Sequence, residues 1–284
     1  MRVKNLRPYL YLLPAILLAV MFVYYPFIRS IISSFFNISI NGRLNSFCFL
    51  DNYKDLLSDN VFYLSLKNTF IFMIMFVPLN TLVVIFLVFL TSKKELLTSV
   101  AETIFMLPMA IGLSSAALLF KFLFNETNGV INSILKSDIL WSSNIFPARL
   151  SLVFLGIFLD ISIDYLLLLS ATRNLDRGPI EAAMVDGCTN FQVFLKIKLP
   201  MLLPTLSFIV FIAIKDALLI CSPIIVMTEG GPARSTQTIV YYYYLSAFKN
   251  SAFSKAASIS TLVFIIASII LTLYKKFEKR RIFF

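Results

Sequence analysis

Six apolar runs, each about 20 residues or longer, dominate this chain, and only two kinds of structure can accommodate them. A helix of about 20 residues spans a hydrocarbon core of roughly 30 Å, because it satisfies its own backbone hydrogen bonds. The runs are continuous rather than alternating, which argues against a β-barrel. Hydrophobic residues make up 59% of the 284-residue chain, well above a soluble domain, and only 14% are charged. The expected fold is therefore an all-α membrane protein. Its six transmembrane helices fall at Tyr9–Phe35, Asn68–Leu90, Thr103–Phe124, Leu150–Ala171, Leu203–Met227 and Ala256–Tyr274. The first run follows a basic "MRVKN" segment but is too long for a signal-peptide core and lacks an A-x-A site, so it reads as a retained span. No soluble domain or low-complexity linker interrupts the runs, so residues 1–284 read as one transmembrane domain.

The net charge of +10 does not point to nucleic acid, because Lys and Arg collect at the ends of the runs. They favour the N-terminus, the "TSKKE" turn, the loop between the fourth and fifth spans, and the tail with Lys275, Lys276, Lys279, Arg280 and Arg281. Both termini are expected on the cytoplasmic side. The chain has no His, which removes His-based proton relays, metal sites and Ser-His catalysis. Cys48, Cys188 and Cys221 fall outside, inside and within a span in this topology, so neither a disulfide framework nor a Cys-rich metal site is expected.

One polar insert breaks the pattern: "GPIEAAMVDGCTNFQVFLKIKLP", Gly178 to Pro200, within a cytoplasmic loop spanning 172–202. Gly178 and Pro179 suit a helix start, with Glu181 at its positive end. Ile180, Ala183 and Met184 form one apolar face, and Gly187 ends the helix. Thr189 with Gln192 reads as a capping box for a second helix carrying Phe191, Phe194 and Leu195, which Pro200 is expected to end. Two uses fit such a helix–glycine–helix insert: lying on the membrane surface, or docking into a groove of a cytoplasmic partner.

Charges inside the spans are the other candidates. Asp160 and Asp164 lie at i, i+4 in the fourth span, and Lys215 and Asp216 near the centre of the fifth. Each costs roughly 2.5–3.5 kcal/mol at mid-bilayer on insertion scales, so each should face the bundle interior or a watery cavity. Lys215 is expected to pair with Asp160 or Asp164, the alternative being that some of the four line a solute pathway. Tyr241–Tyr244 read as interfacial anchors, with sugar stacking as the alternative.

The order Glu181-Ala182-Ala183, three residues, Gly187, nine residues, Ile197, one residue, Leu199-Pro200 resembles the EAA loop of ABC importer permeases of the maltose and glycerol-3-phosphate type. "TEGGPARSTQTIVYYYYLSAF", Thr228–Phe248, is similar to the segment that follows the fifth span in those proteins, with Gly230, Gly231 and Pro232 as its core. "FLDNY" at Phe49–Tyr53, "LKNTF" at Leu66–Phe70, Leu107-Pro108 and "NGVINSIL" at Asn128–Leu135 extend the resemblance over nearly the whole chain. It departs at Phe158 and Ser162, where a Trp and a Gly are usual, at Leu175-Asp176 for Ile-Pro, at Cys221-Ser222 for Phe-Asp, and at Glu229 for a glycine.

The resemblance implies a multi-pass protein of a bacterial cell membrane, in contact with lipid and not with nucleic acid. It would pair with a second homologous permease, engage a cytoplasmic ABC ATPase dimer, and receive a sugar, oligosaccharide or glycerol-phosphate-type solute from an extracellular solute-binding protein. Glu181, Ala182, Ala183, Asp186, Gly187, Ile197, Leu199 and Pro200 would then couple the ATPase to the spans. The chain has no G-x-x-x-x-G-K-[ST] loop, so it reads as a non-enzyme without its own cofactor, ATP being bound by a partner. The competing functions are a stand-alone secondary transporter, which should show an inverted repeat, an integral membrane enzyme, which needs a polar catalytic cluster, and an ABC permease for a non-sugar solute.

Overall fold

The structure, a computed structural model, describes residues 7–91 and 96–282. The "TSKKE" turn (apart from Thr91) and the first six residues, with Arg2 and Lys4, lie outside the described residues. In chain order the elements are α1 (Arg7–Ala19), α2 (Tyr25–Ser33), β1 (Phe36–Ile38), β2 (Leu44–Phe47), α3 (Asp51–Leu57), α4 (Asn60–Thr91), α5 (Leu96–Met106), α6 (Leu113–Leu123), α7 (Val130–Leu135) and α8 (Ile145–Arg173). They continue with α9 (Arg177–Val185), α10 (Asn190–Val193), α11 (Leu199–Met201), α12 (Leu203–Leu219), α13 (Ser222–Met227), α14 (Ile239–Tyr244) and α15 (Phe253–Ile282). Among the described residues, four helices are long and apolar enough to cross a membrane unbroken: Tyr11–Ser33, Asn60–Thr91, Ile145–Arg173 and Phe253–Lys276.

The other two expected spans are broken. The third, expected as Thr103–Phe124, is two helices bent by 107°. A tight turn at Leu107–Ala110 holds Pro108, and Gly112 is extended (φ −62°, ψ 143°) as the cap of α6. Ser162 of α8 secures this break: its hydroxyl accepts from Met109 N at 3.1 Å and donates to Phe105 O at 3.0 Å. The fifth, expected as Leu203–Met227, stops at Leu219, passes through Ile220–Cys221 and resumes as α13. Pro223 has no N–H to give Leu219, Ile224 N donates to Cys221 O at 2.9 Å instead of to Ile220, and the Ile220 carbonyl accepts from Thr238 Oγ1 at 2.9 Å. Broken helices survive at membrane depth only where such partners replace the lost backbone bonds.

Two prolines act more gently. Pro26 and Pro200 each follow one wide turn, Val20–Tyr24 and Phe194–Lys198, closed by i→i+5 bonds from Tyr25 N to Val20 O and from Leu199 N to Phe194 O. Pro200 thus does not end its helix, as the sequence suggested; the break lies at Leu202, with a 71° bend into α12.

Along the chain the residues group into two compact units. The first comprises Met1–Tyr63 and Tyr242–Ile265. Here the β1–β2 hairpin turns at Gly42 (φ +75°), and Ile38 N donates to Ser254 Oγ at 2.7 Å. Asp59 accepts from Lys255 Nζ at 2.6 Å and from the Tyr242 hydroxyl.

The second unit comprises Leu64–Tyr241 and Ile266–Phe284. Its α4 buries one stripe at helical spacing: Ser65, Asn68, Thr69, Phe72, Phe76, Asn80, Val84, Val88 and Thr91. The opposite face, with Ile74, Leu82, Phe86 and Leu90, is exposed and apolar, as lipid contact requires. Gly156 of α8 allows close approach, because a Cβ there would lie 2.9 Å from the Phe76 ring. Val84 and Val88 pack with Tyr165, Leu168 and Leu169 of α8 and with Leu202, Leu206 and Ile209. The Tyr165 hydroxyl donates to Thr91 Oγ1 at 2.7 Å.

Candidate functional site

The polar insert folds much as its spacing predicts, with one shifted end. Asp176, not Gly178, caps α9: its carboxylate accepts from Gly178 N at 3.1 Å, and Arg177 begins the helix. At the other end Gly187 adopts φ +83°, Gly187 N donates to Met184 O at 3.1 Å, and Cys188 N donates to Ala183 O at 3.0 Å. This is a Schellman stop, and the left-handed residue it needs is the glycine. The next helix opens with both halves of a capping box: Thr189 N to Gln192 Oε1 at 2.8 Å, and Gln192 N to Thr189 Oγ1 at 3.4 Å.

The apolar faces divide between inside and outside. Phe194 is buried against Phe89 near the end of α4 (centroids 5.0 Å), and Ala183 is buried too. Met184 and Val185 stay 48% and 88% exposed, with Phe191 and Leu195 also exposed. Glu181 forms no hydrogen bond or ion pair among the described residues; it lines a polar cleft of about 430 Å³ with Arg173, Arg177, Met184 and Lys198. Ala182, Asp186 and Pro200 are exposed, while Ile197 and Leu199 are half-buried. The insert is thus rigidly capped, joined to α4 through Phe89, and outwardly presents an unpaired carboxylate beside apolar side chains.

The intramembrane charges do not form the expected pair. Lys215 Nζ lies 2.9 Å from Asp216 Oδ1, its chain neighbour, rather than bridging to Asp160 or Asp164. Asp164, 1% exposed, accepts from Asn80 Nδ2 of α4 at 2.7 Å. That bond was missed because Asn80 carries no charge; its position on the buried stripe of α4 was the available signal. Asp160 and Asp216 instead line a cavity of about 190 Å³ whose walls include Phe72, Phe76, Gly156 and Cys221. The cavity therefore joins two carboxylates to a parallel phenylalanine pair, ring centroids 5.5 Å apart. Of the departure positions, Phe158 packs on Phe120 (5.1 Å).

The segment after α13 turns inward rather than lying on the surface. Ser235, Thr236, Gln237 and Thr238 are each at most 5% exposed. Glu229 (φ +51°) and Gly230 (φ +83°) make the turn, and a Cβ on Gly230 would meet the Tyr241 ring at 2.8 Å. Thr236 Oγ1 closes it by donating to Gly231 O at 2.7 Å, and a cis bond joins Gly231 to Pro232. Arg149 then holds the segment to α4: its Nε donates to Ser235 O at 3.1 Å and its Nη2 to Asn68 Oδ1 at 3.0 Å. Asn68 Nδ2 donates in turn to Arg234 O (2.8 Å) and Gln237 O (3.1 Å). Tyr241 and Tyr242 are buried, so the start of the tyrosine run serves packing rather than an interfacial belt.

No family model matches the chain. A probable ABC transporter permease protein of Pyrococcus horikoshii is 30% identical over 274 residues, covering 93% of each chain. The lactose transport system permease protein LacF of Rhizobium radiobacter is 28% identical, over 95% of this chain and 93% of that one. The sn-glycerol-3-phosphate transport system permease protein UgpA of Pectobacterium atrosepticum is 26% identical, over 97% and 95%. Among solved structures, a chain of a bacterial ABC transporter involved in the import of the acidic polysaccharide alginate superposes with a TM-score of 0.85 at 20% identity, over 98% and 96%. A second, of a bacterial alginate ABC transporter in complex with an alginate pentasaccharide-bound periplasmic protein, also reaches 0.85, at 21% identity over 99% of each chain.

Proposed function

The chain belongs to the ABC transporter permeases, and we propose that it takes up a sugar, oligosaccharide or glycerol-phosphate-type solute together with a second, homologous permease. A separate ATPase dimer drives it from the cytoplasm, and an extracellular solute-binding protein delivers the solute. The chain itself is not an enzyme and binds no cofactor. The relatives that transport lactose and glycerol-3-phosphate support the solute class.

The observation that carries this reading is the capped helix–glycine–helix insert. A helix lying on lipid would turn its apolar residues one way and its charges the other. Here exposed Met184 and Val185 stand beside unpaired Glu181, over a polar cleft. That mixture suits a protein groove better than a bilayer. In this role Glu181 anchors, Ala182 permits close approach, and Gly187 sets the angle between α9 and α10. Because Phe191 of α10 and Phe194 just after it pack on Phe89, motion of the insert is transmitted to α4, and through Leu202 to α12. The insert and both termini face the cytoplasm, and Asp160 and Asp216 offer hydrogen-bond acceptors to solute hydroxyls in the cavity between α8 and α12.

Purification of the detergent-solubilised chain with the products of its neighbouring genes tests this. An ATPase should co-purify with the wild type and be lost with Glu181→Lys and Gly187→Pro. If no ATPase binds and the chain alone moves solute into liposomes, it works as a secondary transporter and the proposal fails.

A further inference from the structure

Within the first unit, an arginine sits inside a membrane span without a partner among the described residues. Arg29 belongs to the span Tyr11–Ser33 and forms no hydrogen bond or ion pair among the described residues. Such a charge calls for an explanation, since intramembrane arginines are costly and are found paired or facing water. It lies four residues, about 6 Å, from the end of its helix nearest the β1–β2 hairpin. That is the depth at which an arginine stem lies in hydrocarbon and its guanidinium reaches the phosphate layer.

Arg29 lines a cleft of about 280 Å³ between α2 and α15. The polar side chains of that cleft are Arg29, Ser30, Ser33 and Tyr243, all able to donate, and among the described residues no carboxylate lines it. Four small residues, Gly42, Ala247, Ala256 and Ala257, also line it. Preceding turns of the same helix expose Phe22 and Val23 at 66% and 62%. A pocket with one cation, three hydroxyls and no carboxylate among the described residues, on a helix whose preceding turns are exposed and apolar, matches an amphiphile with an anionic head.

We infer that this cleft binds the phosphate of an anionic membrane lipid, with Arg29 as its charge partner, the hydroxyls of Ser33 and Tyr243 as further donors, and the acyl chains lying along Phe22 and Val23. A guanidinium suits this role because its fork donates two parallel bonds to a phosphate.

Native mass spectrometry of the full chain in nonionic detergent tests the assignment, titrating phosphatidylglycerol, phosphatidylcholine and inorganic phosphate. The wild type should retain phosphatidylglycerol over phosphatidylcholine. Arg29→Gln should weaken retention about fivefold, the effect of one basic residue at a lipid surface, while Arg29→Lys, which keeps the charge but not the fork, should lose a smaller part of it. Ser33→Phe, which fills the cleft and spares the charge, should also lower retention. Melting in lipid-free detergent identifies any variant that has not folded. Equal phosphatidylglycerol retention by wild type and folded Arg29→Gln overturns the inference. So does equal protection by inorganic phosphate, which makes the site one for a free anion. A third refutation is a transporter complex that Arg29→Glu dissociates with lipid retention unchanged, which assigns Arg29 to a carboxylate of the second permease.

Discussion

Replacing Arg149 by Met should detach the inward segment after α13 from the bundle. The guanidinium makes two bonds, to Ser235 O at 3.1 Å and Asn68 Oδ1 at 3.0 Å. Ser235 and Asn68 are 5% and 3% exposed, so water does not readily replace the lost donors. Hydrogen bonds to a charged group contribute about 1.5–3 kcal/mol each. Releasing a partly desolvated guanidinium returns part of that, which leaves a net loss of about 3 kcal/mol. For a chain of this size that is a fall of roughly 6–12 °C in melting temperature. Arg149→Lys can reach one acceptor but not fork to both, and should lose about half as much. Thermal unfolding of the purified chain measures the loss, and limited proteolysis read by mass spectrometry locates it, with new cleavage expected at 228–238. If Arg149→Met melts within about 1 °C of wild type and the segment stays resistant, Arg149 does not hold it and the reasoning fails.

Gly156→Val should cost about 1–3 kcal/mol, because its Cβ would meet Phe76 at 2.9 Å; Gly156→Ala should cost less, since the gain in helix propensity offsets part of the crowding, and comparative melting curves decide. Burial raises the Asp59 carboxyl, but hydrogen bonds from Lys255, Tyr242 and Val61 N outweigh it and hold the group below its ordinary value. Its contribution is therefore complete above the unfolded value near 3.9 and is lost as pH falls through the folded one. The stability gap between wild type and Asp59→Asn should be widest at neutral pH and close below about pH 4; a gap independent of pH would refute this. A membrane-impermeant maleimide applied to intact cells should label Cys48 but reach Cys188 only after permeabilisation, and the reverse pattern would invert the proposed topology.

What the sequence made legible was whatever is local. The helix–glycine–helix insert could be read almost whole, because a capping box and a left-handed glycine act within a few residues, and Thr189, Gln192 and Gly187 are the residues they need. The misplaced α9 cap follows the same logic: Asp176 and Gly178 both suit the position, and the Asp has a side-chain acceptor that glycine lacks. Pro200 misled because proline's effect depends on whether the preceding turn can widen, and that is set by packing.

The broken spans were hidden for a different reason. Hydropathy measures whether a segment tolerates lipid, and both halves of each broken helix do. What permits a break is a polar partner far away in sequence: Ser162 for the turn at Leu107–Ala110, 53 residues from Met109, and Thr238 for Ile220, 18 residues on. The charges followed the same rule. Asp160 and Asp164 look equivalent on one helix face, yet Asn80 on α4 satisfies Asp164 and leaves Asp160 to the cavity. Uncharged Asn, Ser and Thr on buried helix stripes therefore carry more of the architecture than the charged residues that first draw attention. In a bilayer, where every exposed backbone group needs a partner, these short polar side chains decide where a helix can bend and which charge remains free to meet a solute.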